Sequence, residues 1–112
     1  KVGYSAWTIQ SPAGEVLAYA LMSMAVGEAH LLNLCVSPQY QGQGLARCMM
    51  DHLLQVVREA HMTILLLEVR KSNKPAISLY ESYNFERLGL RKGYYPAHQG
   101  REDALVLGLQ IV

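Results

Sequence analysis

Apolar residues along the chain follow two different spacings, and the change between them marks the predicted elements. Val2, Tyr4, Ala6 and Ile9 alternate loosely through residues 1–10, and residues 15–24 are apolar almost throughout. Ser11-Pro12-Ala13-Gly14 between them has turn composition, so the two stretches predict a hairpin. A second turn at Val26-Gly27-Glu28-Ala29 leads into residues 30–36, a third strand whose apolar run is 31–36. Short turns between adjacent strands predict an antiparallel meander. Across residues 44–61 the spacing becomes helical. Leu45, Ala46, Met49, Met50, Leu53, Leu54, Val57 and Ala60 form the apolar stripe, and Asp51, Gln55, Arg58 and Glu59 form the wet side. Met49 and Met50 read as core fillers.

Residues 63–70 are apolar without alternation up to Glu68, which predicts a strand buried on both faces. It should lie parallel to the 31–36 strand across a right-handed crossover. Asn73 is placed to cap a helix over 76–83, with Pro75 in its first turn and Asn84-Phe85 at its end. Residues 86–95 and 104–112 predict two last strands, separated by a polar loop over 96–103. The order β-β-β-α-β-α-β-β gives an α/β (α+β) mixed sheet with helices on its faces, in one domain over residues 1–112.

Composition narrows the partners. Of the 112 residues, 51% are hydrophobic, enough for a real core, and the 17% that are charged leave a net charge of +1. There is no basic excess for nucleic acid, and no apolar run long enough to span a membrane. Cys35 and Cys48 read as buried, reduced thiols, consistent with a reducing cytoplasm. His30, His52, His61 and His98 lack metal-ligand spacing, so no metal is expected. No signal peptide is visible, and the chain begins at Lys1 without an initiator Met, as a fragment or processed product would.

The chemistry starts where the third strand meets the long helix. Ser37-Pro38 stops the strand, since proline cannot donate to a ladder, and Gly42 and Gly44 open the helix. Bare amides at a helix start, with a partial positive charge, suit a phosphate, and glycine permits close approach. A Walker loop is excluded because its Lys is missing. The dinucleotide fingerprint is excluded because Arg47 stands where its third glycine belongs.

Two further residues stand out. Glu68 follows Ile64-Leu65-Leu66-Leu67 near the C-terminal end of a central strand, where open sheets bind ligands. It is either a strand-end Glu paired with Arg70 or reaching water, or a general base whose pKa its apolar neighbours raise. Tyr80 lies twelve residues on, in the next helix. It is either a packed tyrosine or a general acid able to protonate a departing thiolate.

The pattern Gln41-x-x-Gly44-x-Ala46 resembles the acetyl-CoA pyrophosphate loop of the GNAT acetyltransferases. Further segments resemble the same family: Leu67-Glu68-Val69-Arg70, Asn73, Ala76-Ile77-x-Leu79-Tyr80-Glu81-Ser82-x-Asn84-Phe85, Arg91-Lys92-x-Tyr94-Tyr95-Pro96, and Gly100-Arg101-Glu102-Asp103-Ala104. Together these are similar to the RimI branch of the family, which acetylates protein N-terminal amines. The resemblance implies the GNAT, or acyl-CoA N-acyltransferase, fold without its leading strand and two helices, an N-terminally truncated domain. It implies acetyl-CoA as cosubstrate, Glu68 as proton acceptor and Tyr80 as proton donor. The backbone of Leu34, Cys35 and Val36 would pair with the pantetheine arm, with the Val36 N–H on the thioester oxygen. Gly42, Gln43, Gly44, Leu45, Ala46 and Arg47 would cradle the pyrophosphate, and Asn73 would make a further cofactor contact. Tyr94, Tyr95, Glu102 and Asp103 would face the peptide.

The resemblance implies three possible activities. The first is direct acetyl transfer to a protein N terminus, in the RimI branch the alanine of a small-subunit ribosomal protein. The second is a GNAT acting on lysines or small amines, and the third an inactive CoA-binding fragment. A covalent thiol route is disfavoured, because neither cysteine has a histidine nearby in sequence.

Overall fold

A computed structural model of the protein describes residues 3–111. Lys1, Val2 and Val112, which the sequence pattern assigns to the first and last strands, lie outside the described residues. The elements are β1 (Gly3–Gln10), β2 (Val16–Ala25), β3 (Glu28–Val36), a short 3-10 turn (Pro38–Tyr40), α1 (Leu45–Glu59), β4 (Ile64–Arg70), α2 (Lys74–Ser82), β5 (Glu86–Pro96) and β6 (Arg101–Gln110). They build one six-stranded sheet in the order β1-β2-β3-β4-β6-β5. Only β3 and β4 run parallel; every other neighbouring pair is antiparallel.

One core lies on one face of this sheet. Met49, Met50, Leu53, Leu54 and Val57 of α1 and Ile77 and Tyr80 of α2 pack with Ala18, Ala20, Met22, Ala29, Leu31, Leu65, Leu67, Val69, Leu105 and Leu107. That corrects the expectation for β4, which is not buried on both faces. Leu65, Leu67 and Val69 are buried, whereas Ile64, Leu66, Glu68 and Arg70 are only half-buried. Successive side chains on a strand point to opposite faces, and both helices cover the same one. Glu68 therefore stands on the face away from the helices, in line with Leu66. There Leu66 and Leu88 close over Gly108, where an added Cβ would meet Leu88 Cδ1 at 2.7 Å.

Helix α1 stops two residues before His61, which takes a left-handed φ of 57° beyond the cap. The polar loop shrinks to residues 97–100. Arg101, Glu102 and Asp103 belong to β6, because Pro96 pairs with Arg101 and Tyr95 with Glu102. A charged triplet has poor strand propensity by itself, and cross-strand pairing overrides it.

The parallel pairing is short. Glu28 to Leu31 match Ile64 to Leu67, and there it ends. At the same point β3 carries one extra residue: Leu21 faces Asn33 and Met22 faces Leu31, leaving Leu32 as a bulge. A bulge bends its strand, so β3 turns away from β4 while both strands continue. α1 packs its buried stripe against β2 and β3 beside this opening. Leu53 is fully buried, and replacing it with Ala should cost about 2–5 kcal/mol; a denaturant midpoint within error of the parent would contradict the packing described.

Candidate active site

The opening between β3 and β4 has its own hydrogen-bonding pattern. The Ser37 amide donates to the Leu17 carbonyl at 2.9 Å. Antiparallel partners exchange bonds at every second pair, so Cys35 is bonded to Tyr19 while Leu34 and Val36 turn their backbone groups away from β2, into the opening. This corrects the expectation that Cys35 offers its backbone to a ligand beside them. Both thiols are exposed, not buried as the sequence suggested. On the other strand, the Lys71 amide donates to the Asp103 carbonyl at 3.1 Å. By the same alternation Glu68 turns its backbone into the opening. The Tyr95 hydroxyl reaches across and donates to the Glu68 carbonyl at 3.3 Å.

The strand end is anchored before the helix starts. The Tyr40 hydroxyl donates to Glu15 Oε1 at 2.7 Å, Ser37 Oγ to the Val16 carbonyl at 3.1 Å, and the Gln41 side-chain amide to the Val36 carbonyl at 3.2 Å. Gly42 and Gly44 then take φ of 79° and 82°, the left-handed region that glycine enters without cost. Gly44 is the N-cap of α1 and has no side chain to offer. Among the described residues no side chain accepts from the amides of residues 42–47, so the first turn of α1 keeps free donors.

A groove of about 600 Å³ runs along these amides, from Leu34 and Val36 past Gly42, Gly44, Leu45, Ala46 and Arg47 to Asn73 and Tyr80. Gln43 is exposed and does not line it. Arg47 is held at the rim, its guanidinium on Ser82 Oγ at 2.9 Å and 5.4 Å from the Tyr83 ring centre. Asn73 caps α2 as the sequence suggested, its Oδ1 accepting from the Ala76 amide at 3.2 Å.

The groove continues into a cleft of about 320 Å³ between the separated strands, which Glu68, Asn73, Tyr80 and Tyr95 all line. Tyr80 enters it from the helix side and Glu68 from the far side. Burial, with a smaller contribution from neighbouring Tyr95, pushes the Tyr80 phenol up to about 12. Glu68 lacks the apolar seclusion expected of it. Its side chain is 26% exposed, and Oε2 is held by Arg91 Nε at 2.6 Å. Arg70, the partner considered from sequence, instead donates to the Pro96 carbonyl at 2.7 Å and to Glu102 at 3.4 Å, with its guanidinium 4.5 Å from the Tyr95 ring centre.

On the far face a smaller cavity of about 230 Å³ joins Glu68, Arg91, Tyr94 and Tyr95 to Leu32, Leu66 and Val106. The two tyrosines meet edge to face at 4.9 Å, and Arg91 lies 5.3 Å from the Tyr94 ring centre. Glu102 and Asp103 line none of these spaces. The Glu102 carboxylate accepts from the Ser72 amide at 2.7 Å, and its bonds from Ser72 and Arg70 hold it below the usual carboxylate range. Asp103 accepts from the Gly93 amide at 2.9 Å. The sequence assigned no role to Arg91. Its link to Glu68 spans 23 positions and two strands that are not neighbours in the sheet, and no local spacing encodes it.

The geometry has counterparts among known proteins. The family model for the acetyltransferase (GNAT) family matches residues 3–85. The [ribosomal protein bS18]-alanine N-acetyltransferase of Escherichia coli (strain K12) is 43% identical over 98 residues, 88% of this chain and 66% of that protein. The chain thus spans just under two thirds of that relative's length. The protein of the same name from Haemophilus ducreyi is 37% identical over 97 residues, 86% of this chain and 67% of that one. The crystal structure of the ribosomal-protein-S18-alanine N-acetyltransferase from Escherichia coli superposes with a TM-score of 0.90 at 40% identity, covering 96% of this chain and 69% of the other. A family match over most of the chain and a relative at this identity place the protein: the chain belongs to the acetyltransferase (GNAT) family.

Proposed function

We propose that this protein transfers the acetyl group of acetyl-CoA to the α-amine of a protein N terminus, with the N-terminal alanine of a small ribosomal-subunit protein as acceptor. Supporting this substrate are the relatives named for that reaction. It acts in the reducing cytoplasm, where its two free thiols persist. The observation that carries the reading is the cleft where β3 and β4 stop pairing, because Glu68 and Tyr80 line it from opposite sides of the sheet.

The residues divide the work. The free amides of residues 42–47 hold the diphosphate, glycine letting the backbone come close, with Arg47 and Asn73 beside it. Leu34 and Val36 offer the unpaired edge of β3 to the amide-bearing arm, as a neighbouring strand would. The Val36 N–H faces the opening and stabilises negative charge on the thioester oxygen, a contribution of about 3 kcal/mol in comparable sites. Glu68 takes the proton from the attacking amine, directly or through water. An α-amine has a pKa near 7.7–8.0, so roughly a tenth is already neutral at pH 7 and the base has little to do. Tyr94 and Tyr95 flank the acceptor.

Tyr80 donates to the departing sulfur. With its pKa at about 12, against roughly 8.5 for a free thiol, full proton release to the thiolate is uphill. The phenol therefore acts chiefly as a hydrogen-bond donor held at the right place, which needs proximity more than acidity.

An alanine-initiated peptide incubated with acetyl-CoA should gain one acetyl group, while an N-blocked twin and an internal lysine stay unmodified by mass spectrometry. Acetylation of the lysine alone would assign the site to a different acceptor, and CoA release without any acetylated acceptor would leave only binding. Glu68→Gln should lower kcat by roughly tenfold at pH 7, since about a tenth of the α-amine is neutral without help, with acetyl-CoA affinity retained; full turnover would remove Glu68 from proton transfer. Tyr80→Phe should lower kcat more than it weakens acetyl-CoA binding. The same variant has a stability signature. The folded phenol titrates near 12 and the unfolded one near 10, so stabilisation of about 2–3 kcal/mol is complete below pH 10 and is lost as pH rises towards 12. Chemical denaturation of the phenylalanine variant should show a shallower alkaline decline; an identical decline would mean that another group titrates there.

A further inference from the structure

Arg101-Glu102-Asp103, read from sequence as the end of a polar loop with Glu102 and Asp103 facing the peptide, lies at the start of β6. Opposite it β5 is irregular. Arg91 faces Ala104 and Tyr95 faces Glu102, so Lys92, Gly93 and Tyr94 together stand against the single residue Asp103. Such an insertion lacks its ladder bonds and needs other partners. Side chains of β6 supply them. Asp103 Oδ1 accepts from the Gly93 amide at 2.9 Å, Arg101 Nε donates to the Gly93 carbonyl, and Arg101 Nη2 donates to the Tyr94 carbonyl at 3.0 Å. Gly93 takes a left-handed φ of 57°, which lets the strand kink at that point.

What this bulge positions is the pair of rings beside Glu68. Tyr94 and Tyr95 follow Gly93 directly, meet edge to face, and line the far-side cavity with Glu68 and Arg91. Just beyond the bulge, the C-terminal end of β5 is held through Glu102 and Arg70, which grips the Pro96 carbonyl and lies over the Tyr95 ring.

We propose that Asp103 and Arg101 are positioning residues: they clamp the Lys92–Gly93–Tyr94 bulge through its backbone, aim Tyr94 and Tyr95 at the acceptor peptide, and do not touch the peptide themselves. The inference rests on the α-amine acetyltransferase reading for its effect on the peptide KM, but not for the clamp. Asp103 is needed as a hydrogen-bond acceptor, and its charge is dispensable. A carboxylate that bound the acceptor's ammonium would instead need its charge.

Asp103→Asn and Asp103→Ala separate these roles. With acetyl-CoA and an alanine-initiated peptide, Asp103→Ala should raise the peptide KM roughly tenfold, the scale of one lost hydrogen bond, with the acetyl-CoA KM unchanged. Asp103→Asn keeps an oxygen for the Gly93 amide and should stay within about twofold of the parent. Arg101→Ala should reproduce the peptide-KM increase, and serves if Asp103→Ala fails to fold. Equal losses in Asp103→Asn and Asp103→Ala, or an unchanged peptide KM in Asp103→Ala or Arg101→Ala, would overturn the proposal. Hydrogen exchange at the Gly93 amide is read on the same proteins, and should be faster in Asp103→Ala and parent-like in Asp103→Asn. If the parent acetylates no α-amine, the functional reading fails by itself, and unchanged exchange in Asp103→Ala overturns the clamp independently.

Discussion

Everything at the site depends on two parallel strands that stop pairing. Had β3 and β4 stayed in register past Leu31 and Leu67, the backbone groups of Leu34 and Val36 would have bonded across to β4 and those of Glu68 across to β3. The sheet would have been more complete and would have had no opening. Unpaired backbone groups inside a protein carry a large penalty, so the separation needs a cause and a set of substitutes. The cause is the extra residue, Leu32. The substitutes are local: the Gln41 side chain takes the Val36 carbonyl and the Tyr95 hydroxyl takes the Glu68 carbonyl. What remains free is a strand edge that a ligand with amide groups can complete.

The same opening solves a problem of access. A buried sheet separates its two faces, and here one face is filled by both helices. A reaction joining a ligand along the helix side to an acceptor on the other side needs a passage through the sheet. Glu68 projects from β4 onto the far face and Tyr80 reaches in from α2 on the other, and yet both line one cleft, because the strands beside them have parted. The electrostatics differ accordingly. Tyr80 sits in the core, where burial keeps its proton on. Glu68 sits at the wet mouth, where Arg91 is its counter-ion.

Much of the fold was legible in the residues. The helical spacing from Leu45 to Val57 named the buried stripe of α1, and the meander and the parallel crossover followed from turn composition and strand order. Gly42, Gly44 and Asn73 are read locally, because a left-handed φ and a helix cap are demands of a few consecutive residues. Elsewhere local pattern misled. Ile64-Leu65-Leu66-Leu67 looks doubly buried, but burial depends on what covers each face. Arg101-Glu102-Asp103 looks like a solvated loop, but these residues form a strand whose side chains replace missing backbone bonds.

By itself the sequence determined the order of elements, the face of α1 that turns inward, and a helix start bare enough to hold an anion, because each is set by side chains within a few residues of one another. Only the tertiary structure decided that β3 leaves β4 after Leu31, that Arg91 and not Arg70 meets Glu68, and that Cys35 bonds its neighbour strand while Leu34 and Val36 face the opening. Those outcomes turn on register, on one inserted residue and on contacts between strands far apart in the chain, and a single linear pattern carries no record of which distant partner wins.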